Sequence, residues 1–239
     1  MQTQESDAKK TWILENEVEE EILKFDEDEN DKLFVTKPWT KEPRYFKHVR
    51  ISTCALIKMV NHTKSGGDIE VMGLMQGKII GETFYVLDAF ALPVEACETR
   101  VNAGAEANEY LGAHLGFCPE IGREENCIGW YHSHPGYGPW LSGIDVGTQS
   151  MYQTVQEPWL AIVIDPHRTM SSGKVDLGCF RTLPEGVFNE EAKGDFGVPL
   201  AKIKDFGAHA DKYYQISHSI FKSELDESLF DSLWNQYWV

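Results

Sequence analysis

Positive charge is scarce in this sequence: 22 Lys and Arg residues stand against 38 Asp and Glu residues, for a net charge of -16. Proteins that bind nucleic acids or anionic membranes place Lys and Arg against phosphate groups. The composition therefore argues against a nucleic acid or an anionic membrane as a partner and favours a basic partner. Much of the acid lies between Glu15 and Asp31, which is typical of a solvated acidic segment.

Paired cysteines and long apolar runs are lacking as well. The five cysteines are odd in number and widely spaced, and none belongs to a C-x-x-C pair. This pattern argues against a disulfide framework and indicates reduced thiols in a cytoplasmic or nuclear protein. The longest aliphatic run is Leu160 to Ile164, and the stretch from Met1 to Lys10 is polar. We therefore expect neither a signal peptide nor a membrane span.

The chain does contain enough apolar surface for a folded core, since 42% of its residues are hydrophobic and twelve are Phe. Helical and strand patterns alternate irregularly, which favours an α+β fold built in layers around a sheet. We divide the chain into an acidic N-terminal segment with a connector (1–45), a central domain (46–183), and a mobile loop with a C-terminal helical extension (184–239).

The spacing of apolar residues places the individual elements. Helices are predicted at 11–25, 51–64, 105–117 and 142–155, and a C-terminal helix carries the apolar stripe Ile216, Ile220, Leu225, Leu229, Leu233 and Tyr237. Strands are predicted at 69–75, 84–92, 127–132, 159–164 and 175–181. The first two strands form a hairpin around Gly81, and residues 37–47, with two prolines, form an extended connector.

A metal site is indicated at the end of the third predicted strand. His132 and His134 are two residues apart, so on a strand their side chains point to the same face and reach one ion. Asp145 begins the next predicted helix, close enough for its carboxylate to fold back towards them. Two imidazoles and one carboxylate are the ligand set with which a catalytic zinc ion keeps its fourth position for water. We expect one zinc ion per chain.

Two further residues fit hydrolysis at such a site, where zinc lowers the pKa of bound water to about 7. Glu70, flanked by Ile69 and Val71 in the first predicted strand, suits a general base whose proton affinity is raised by burial. Ser142 is placed to donate a hydrogen bond to the developing oxyanion.

Each residue also has a simpler interpretation. A lone His-x-His is often satisfied within a fold, Ser142 and Asp145 have the spacing of a helix capping box, and Glu70 alone fits an edge-strand charge. The metal site is favoured because one hypothesis accounts for all five positions.

These residues match a known signature. Glu70, the run His132-Ser133-His134-Pro135, Ser142 and Asp145 together resemble the complete JAMM motif, and the similarity extends through 129–138 and 140–145. The chain thus resembles the JAMM (MPN+) zinc metalloproteases. That resemblance implies an MPN domain with a central mixed sheet flanked by helices, similar to cytidine deaminases. It also implies cleavage of isopeptide bonds between ubiquitin-like C-termini and lysine side chains, with His132, His134 and Asp145 as zinc ligands and Glu70 and Ser142 as catalytic residues.

Flanking segments distinguish two groups within this family. Residues 37–41, 45–47, 92–95 and 98–103 look like the catalytic (fifth) subunits of the COP (constitutive photomorphogenesis) signalosome, which are deneddylases acting on cullins. The resemblance implies other signalosome subunits, including an MPN heterodimer partner, together with neddylated cullins and the ubiquitin-like Nedd modifier as partners, in the cytoplasm and nucleus. A deubiquitinase of the proteasome-lid type and a catalytically silent MPN scaffold remain the alternatives.

A loop from Val94 to Gly104 leaves the second predicted strand near the expected metal site. We hypothesise that it regulates the enzyme, with Glu98 competing for the water position or Arg100 engaging Asp145. An ordinary solvated loop is the competing interpretation.

Overall fold

The computed structural model describes residues 18–19, 26–93, 105–121, 125–189, 202–223, 226–229 and 231–232. The helices in these ranges are α1 (Glu27–Thr36), α2 (Thr53–Ser65), α3 (Ala105–Phe117), α4 (Gly143–Val155), α5 (Pro166–Ser172) and α6 (Ile203–His209). The strands are β1 (Val18–Glu19), β2 (His48–Ser52), β3 (Met72–Ile80), β4 (Thr83–Ala91), β5 (Asn126–Ser133), β6 (Leu160–Asp165), β7 (Asp176–Thr182) and β8 (Tyr213–Ser223). Among the helices described, none is long and apolar enough to cross a bilayer.

The strands form one mixed sheet in the order β1-β8-β2-β4-β3-β5-β6-β7. Strand β2 is parallel to β4 and to β8, and β5 is parallel to β6, whereas the β3–β4, β3–β5 and β6–β7 pairs are antiparallel. Strand β7 also pairs with β8, so the sheet curls round and closes on itself. The predicted mixed sheet is therefore confirmed.

Each face of the sheet has its own apolar core. On one face, Ala55 and Met59 of α2 pack among strand residues such as Ile162. On the other, Val146 of α4 packs among residues such as Val163. Strand β6 is buried along its whole length because it contributes to both cores, which explains the uninterrupted aliphatic run in the sequence. Helices therefore cover both faces, as predicted for a layered α+β fold.

Local signals in the sequence place several boundaries to within two residues, although Ile51 and Ser52, at the start of the helix predicted at 51–64, end strand β2. Helix α2 begins after Ser52, whose hydroxyl accepts a 3.1 Å hydrogen bond from the backbone N–H of Ala55, and it ends at Gly66. The β3–β4 hairpin turns at Gly81, whose φ of 55° suits glycine. The predicted helix at 105–117 and the strand at 127–132 are also confirmed, within one residue at each end.

The predicted C-terminal helix is wrong over 213–223, which form β8 between β2 and β7. Ile216 and Ile220 lie four residues apart, a spacing that fits both a helix face and a strand face, so periodicity could not separate the two. The segment after residue 183 therefore supplies a strand to the central sheet. Helical residues are described at 226–229 and 231–232; Leu225, Leu233 and Tyr237 lie outside the described residues.

The N-terminal part also differs from expectation. Within the helix predicted at 11–25, Val18–Glu19 form a short strand paired with β8, and the rest lies outside the described residues. The connector is not extended: Pro38–Thr40 form a 3₁₀ turn that buries Trp39, and the Trp39 ring stacks on Phe46 with 5.7 Å between centroids. One apolar side chain on a short turn has no periodic signal, so this anchor was not predicted.

Candidate metal centre and active site

The carboxyl end of β5 carries both candidate imidazole ligands. Trp130, His132 and His134 share one face of this strand, which lies between β3 and β6. The indole of Trp130 stacks on the imidazole of His132, with 4.5 Å between centroids. Exposed fractions are 4% for His132 and 1% for His134. Burial and stacking therefore fix both rings on the α4 side of the sheet.

The carboxylate ligand comes from the first turn of α4. Ser142 caps this helix: its hydroxyl oxygen accepts a hydrogen bond from the N–H of Asp145, at 3.2 Å. In return, Oδ2 of Asp145 accepts from the backbone N–H of Ser142 at 2.8 Å and from its hydroxyl at 2.7 Å. This reciprocal capping box folds the Asp145 carboxylate back over the helix N-terminus, towards the two histidines.

The three side chains meet in a triangle of ligand atoms. Nε2 of His132 lies 3.1 Å from Nε2 of His134, and Oδ2 of Asp145 lies 3.5 Å and 3.4 Å from them. A tetrahedral zinc site with bonds of about 2.0 to 2.1 Å has edges of about 3.3 Å. The observed edges fit that geometry. In the part of the chain that the structure describes, this is the one group of three or more such residues arranged to hold a metal ion.

The protonation of His134 suits metal binding. Its Nδ1 lies 3.1 Å from the carbonyl oxygen of Gly138, which can only accept, so Nδ1 carries a proton and the neutral ring keeps its lone pair on Nε2. Metal-binding histidines are commonly oriented in this way. Nδ1 of His132 is buried and finds no hydrogen-bond partner among the residues described, so stacking on Trp130 sets the orientation of this ring.

Burial and charge within the triangle shift the pKa values of the three side chains in different directions. Burial opposes protonation of His132, but the nearby carboxylate of Asp145, helped by Glu70, raises its pKa. Burial lowers the pKa of His134. Burial disfavours the charged form of Asp145, but attraction to His132 and hydrogen bonds to both histidines hold its pKa well below the usual range. Asp145 is thus ionised at neutral pH, and a metal ion would displace a proton from His132.

Glu70 lies beside the triangle, although not inside a strand as predicted. It precedes β3 by two residues and is half-buried, and the neighbouring Ile69 is 60% exposed, so the apolar run does not enclose it. The backbone N–H of Ser133 donates to the carbonyl of Val71 at 3.0 Å, which continues the β3–β5 pairing and sets Glu70 opposite His134. Residues directly opposite on paired strands share a face.

Tyr137 connects Glu70 to the candidate metal ligands. Its hydroxyl donates a hydrogen bond to Oε1 of Glu70, and its ring stacks on the imidazole of His134 with 4.4 Å between centroids. No role was predicted for this tyrosine from the sequence. Its only signal was its place between Gly136 and Gly138 in the matching motif.

Known proteins are similar to this chain in the region of the site. Residues 44–158, which include the three corners of the triangle and Glu70, match the family model described as JAB1/Mov34/MPN/PAD-1 ubiquitin protease. The chain is 55% identical to COP9 signalosome complex subunit 5 of Drosophila melanogaster over 239 residues, covering 97% of the chain and 73% of that protein. For the same subunit of Dictyostelium discoideum, identity is 53% over 240 residues, covering 98% and 72%. Subunit 5a of Arabidopsis thaliana is 52% identical, covering 97% and 68%.

The chain belongs to the COP9 signalosome subunit 5 family. Identity above 50% over nearly the whole chain confirms the resemblance drawn from the motif and its flanks. Membership of the COP9 signalosome subunit 5 family also confirms the MPN fold.

In this member of the COP9 signalosome subunit 5 family, the hydroxyl of Ser142 donates to Asp145, so Ser142 orients a candidate metal ligand. Its role as an oxyanion donor stays a prediction. Glu98 and Arg100, with the whole loop 94–104, lie outside the described residues, so the regulatory hypothesis also stays a prediction.

A second residue without a sequence signal is Gln149, which lies one helical turn after Asp145 and is fully buried. Its Oε1 accepts from the indole N–H of Trp130 at 2.8 Å, and its Nε2 donates to the carbonyl of Trp159 at 2.9 Å. Gln149 therefore holds α4 against the sheet beside the metal centre.

Proposed function

We propose that this chain is a zinc-dependent isopeptidase that acts in the COP9 signalosome complex and removes the ubiquitin-like Nedd modifier from lysine side chains of cullins, in the cytoplasm and nucleus. The observation that carries the proposal is the ligand triangle, with edges of 3.1 to 3.5 Å, beside the carboxylate of Glu70. The names of the relatives support the complex, and the family model, which is described as a ubiquitin protease, supports the protease activity.

His132, His134 and Asp145 would hold the zinc ion, which when bound supplies a Lewis acid and makes water nucleophilic near neutral pH. Glu70 takes a proton from the attacking water on a carboxylate oxygen and passes it to the departing lysine nitrogen. Such general acid–base catalysis contributes about 10² to 10⁴ in rate. Tyr137 keeps the carboxylate on the histidine side through its hydrogen bond to Oε1.

Two measurements test the proposal. Elemental analysis of the purified chain is expected to find about one zinc ion per chain. The chain assembled with the other signalosome subunits is then expected to cleave a neddylated cullin faster than it cleaves polyubiquitin, whereas the same complex with His134→Ala is inactive. Faster cleavage of polyubiquitin would favour a deubiquitinase of the proteasome-lid type. A chain that binds no zinc and cleaves neither substrate would be a scaffold.

A further inference from the structure

Asp165, the last residue of β6, is fully buried one strand away from the two histidines. Its carboxylate is shared between two groups of partners. Oδ1 accepts hydrogen bonds from the backbone N–H of Gly136, at 3.0 Å, and from that of Arg168, at 2.9 Å. Oδ2 accepts from the backbone N–H of Gly138, at 2.8 Å, and faces Nε of Arg168 at 3.3 Å. No local pattern in the sequence marks this residue.

The two glycines that donate to Asp165 enclose Tyr137. Both have a φ of 86°, in the left-handed region that favours glycine, and both turn their N–H groups towards the one carboxylate. A buried carboxylate that receives such charge-assisted hydrogen bonds holds a loop in one conformation. Asp165 therefore fixes the course of the backbone from Gly136 to Gly138.

This short loop makes two contacts with the metal centre. The carbonyl oxygen of Gly138 accepts from Nδ1 of His134, and the hydroxyl of Tyr137 donates to Glu70. The first contact keeps the lone pair of His134 on the nitrogen that faces the metal ligands. The second holds the carboxylate expected to move protons. Both depend on the backbone that Asp165 holds.

We propose that Asp165 is a positioning residue that, through the loop 136–138, sets the tautomer of His134 and the place of Glu70. The part of this inference that concerns catalysis rests on the proposed function. The part that concerns metal binding rests only on the ligand triangle.

Asp165 also caps α5, because Oδ1 accepts from the N–H of Arg168. The two roles can be separated, since the cap uses Oδ1 and Gly138 uses Oδ2. In Asp165→Asn, the amide oxygen can replace Oδ1 and keep the cap, because Asn is as good an N-cap as Asp. The amide NH₂ in place of Oδ2 cannot accept from Gly138. The matched control is Asp176→Asn, which changes the residue paired with Asp165 on β7.

The first readout is zinc affinity, measured by competition with a chromophoric chelator, together with the melting temperature of the metal-free protein. Asp165→Asn is expected to weaken zinc binding about 10- to 100-fold, the usual effect of losing an outer partner of a metal ligand. Because the N–H of Gly138 loses its acceptor, the metal-free melting temperature of Asp165→Asn should be lower than that of Asp176→Asn, so zinc affinity is measured at a temperature at which both variants are folded. Asp176→Asn should bind zinc like the unmodified chain. Zinc affinity of Asp165→Asn within twofold of the control would overturn the inference.

The second readout does not depend on a variant folding. Nitrogen-15 NMR of histidine-labelled, unmodified protein should find His134 protonated at Nδ1 without zinc and with it. Protonation at Nε2 in the metal-free protein would overturn the inference. With saturating zinc, Asp165→Asn in the assembled complex is expected to lower kcat more than it changes KM. If even the unmodified complex cleaves nothing, the proposed function fails while the zinc and NMR results still decide the role of Asp165.

Discussion

The indole N–H of Trp130 donates a 2.8 Å hydrogen bond to Oε1 of Gln149, and this contact joins the strand that carries both histidines to the helix that carries Asp145. Trp130 stacks on His132, and Gln149 lies one turn after Asp145. The two sides of the metal centre are thus aligned through a buried side-chain contact outside the ligand set.

Replacing Gln149 should loosen this alignment. Gln149→Leu leaves the indole N–H of Trp130 buried without its partner, whereas the carbonyl of Trp159 keeps its hydrogen bond from Arg181. Because an unsatisfied buried group costs about 1 to 3 kcal/mol, we expect the free energy of unfolding of the metal-free chain to fall by about that amount. Urea denaturation measures this free energy, and the control is Gln215→Leu, at an exposed position. Equal stability of the two variants would contradict this interpretation of the contact.

Loss of a metal ligand should remove zinc and activity together. His134→Ala deletes one imidazole and Asp145→Asn deletes the charged oxygen, so each leaves only two ligands of the triangle. Elemental analysis should find well under one zinc ion per chain in both variants and about one in the control His167→Ala, whose side chain is 47% exposed. A full complement of zinc in His134→Ala would show that the metal binds elsewhere.

Glu70→Gln should separate metal binding from catalysis. Glu70 is not a corner of the ligand triangle, so the variant should keep its zinc. Its cleavage rate should fall by about 10² to 10⁴, because the amide cannot take up the proton. The comparison is Glu82→Gln, which alters an exposed carboxylate paired with Lys47. If Glu70→Gln cleaves a neddylated cullin at the unmodified rate, another residue moves the proton.

The stabilisation that zinc confers should grow as pH rises. In the metal-free chain, the raised pKa of His132 adds stability below the usual histidine pKa of about 6.5, and this is lost as pH rises through the raised value. The lowered pKa of Asp145 adds stability above the usual aspartate pKa of about 3.9, lost as pH falls through the lowered value. In the metal-free chain, the contribution of His132 and Asp145 to stability is therefore largest between about pH 4 and 6.5.

Zinc competes with the proton on His132, so the stabilisation that zinc confers increases above about pH 6.5. Melting temperatures with zinc and with a chelator, from pH 5 to pH 8, should differ more at each step. A difference that stays constant or shrinks would mean that His132 gives up no proton to the metal.

The loop hypothesis has its own test. Glu98→Gln should speed cleavage by the isolated chain if the carboxylate competes for the water position, and Glu109→Gln on α3 serves as the control. Unchanged rates in initial-rate assays would leave 94–104 as an ordinary solvated loop.

The ligand set was accessible from the sequence because its signals are local. Two histidines at strand spacing and an aspartate in the first turn of a helix each follow from the period of a single element. Strand β6 and helix α2 were predicted for the same reason, since their patterns match one period clearly. The family followed from runs of motif residues that need no structure to compare.

Only the tertiary structure decided which residues surround those ligands. Gln149, Tyr137 and Asp165 act through partners up to 67 positions away along the chain, and such contacts leave no periodic trace. Strand β8 was mistaken for a helix because a four-residue apolar spacing fits both structures; pairing with β2 and β7 selected the strand. Local periodicity in the sequence therefore identified the candidate metal ligands. Packing between distant segments determined which residues hold those ligands in position.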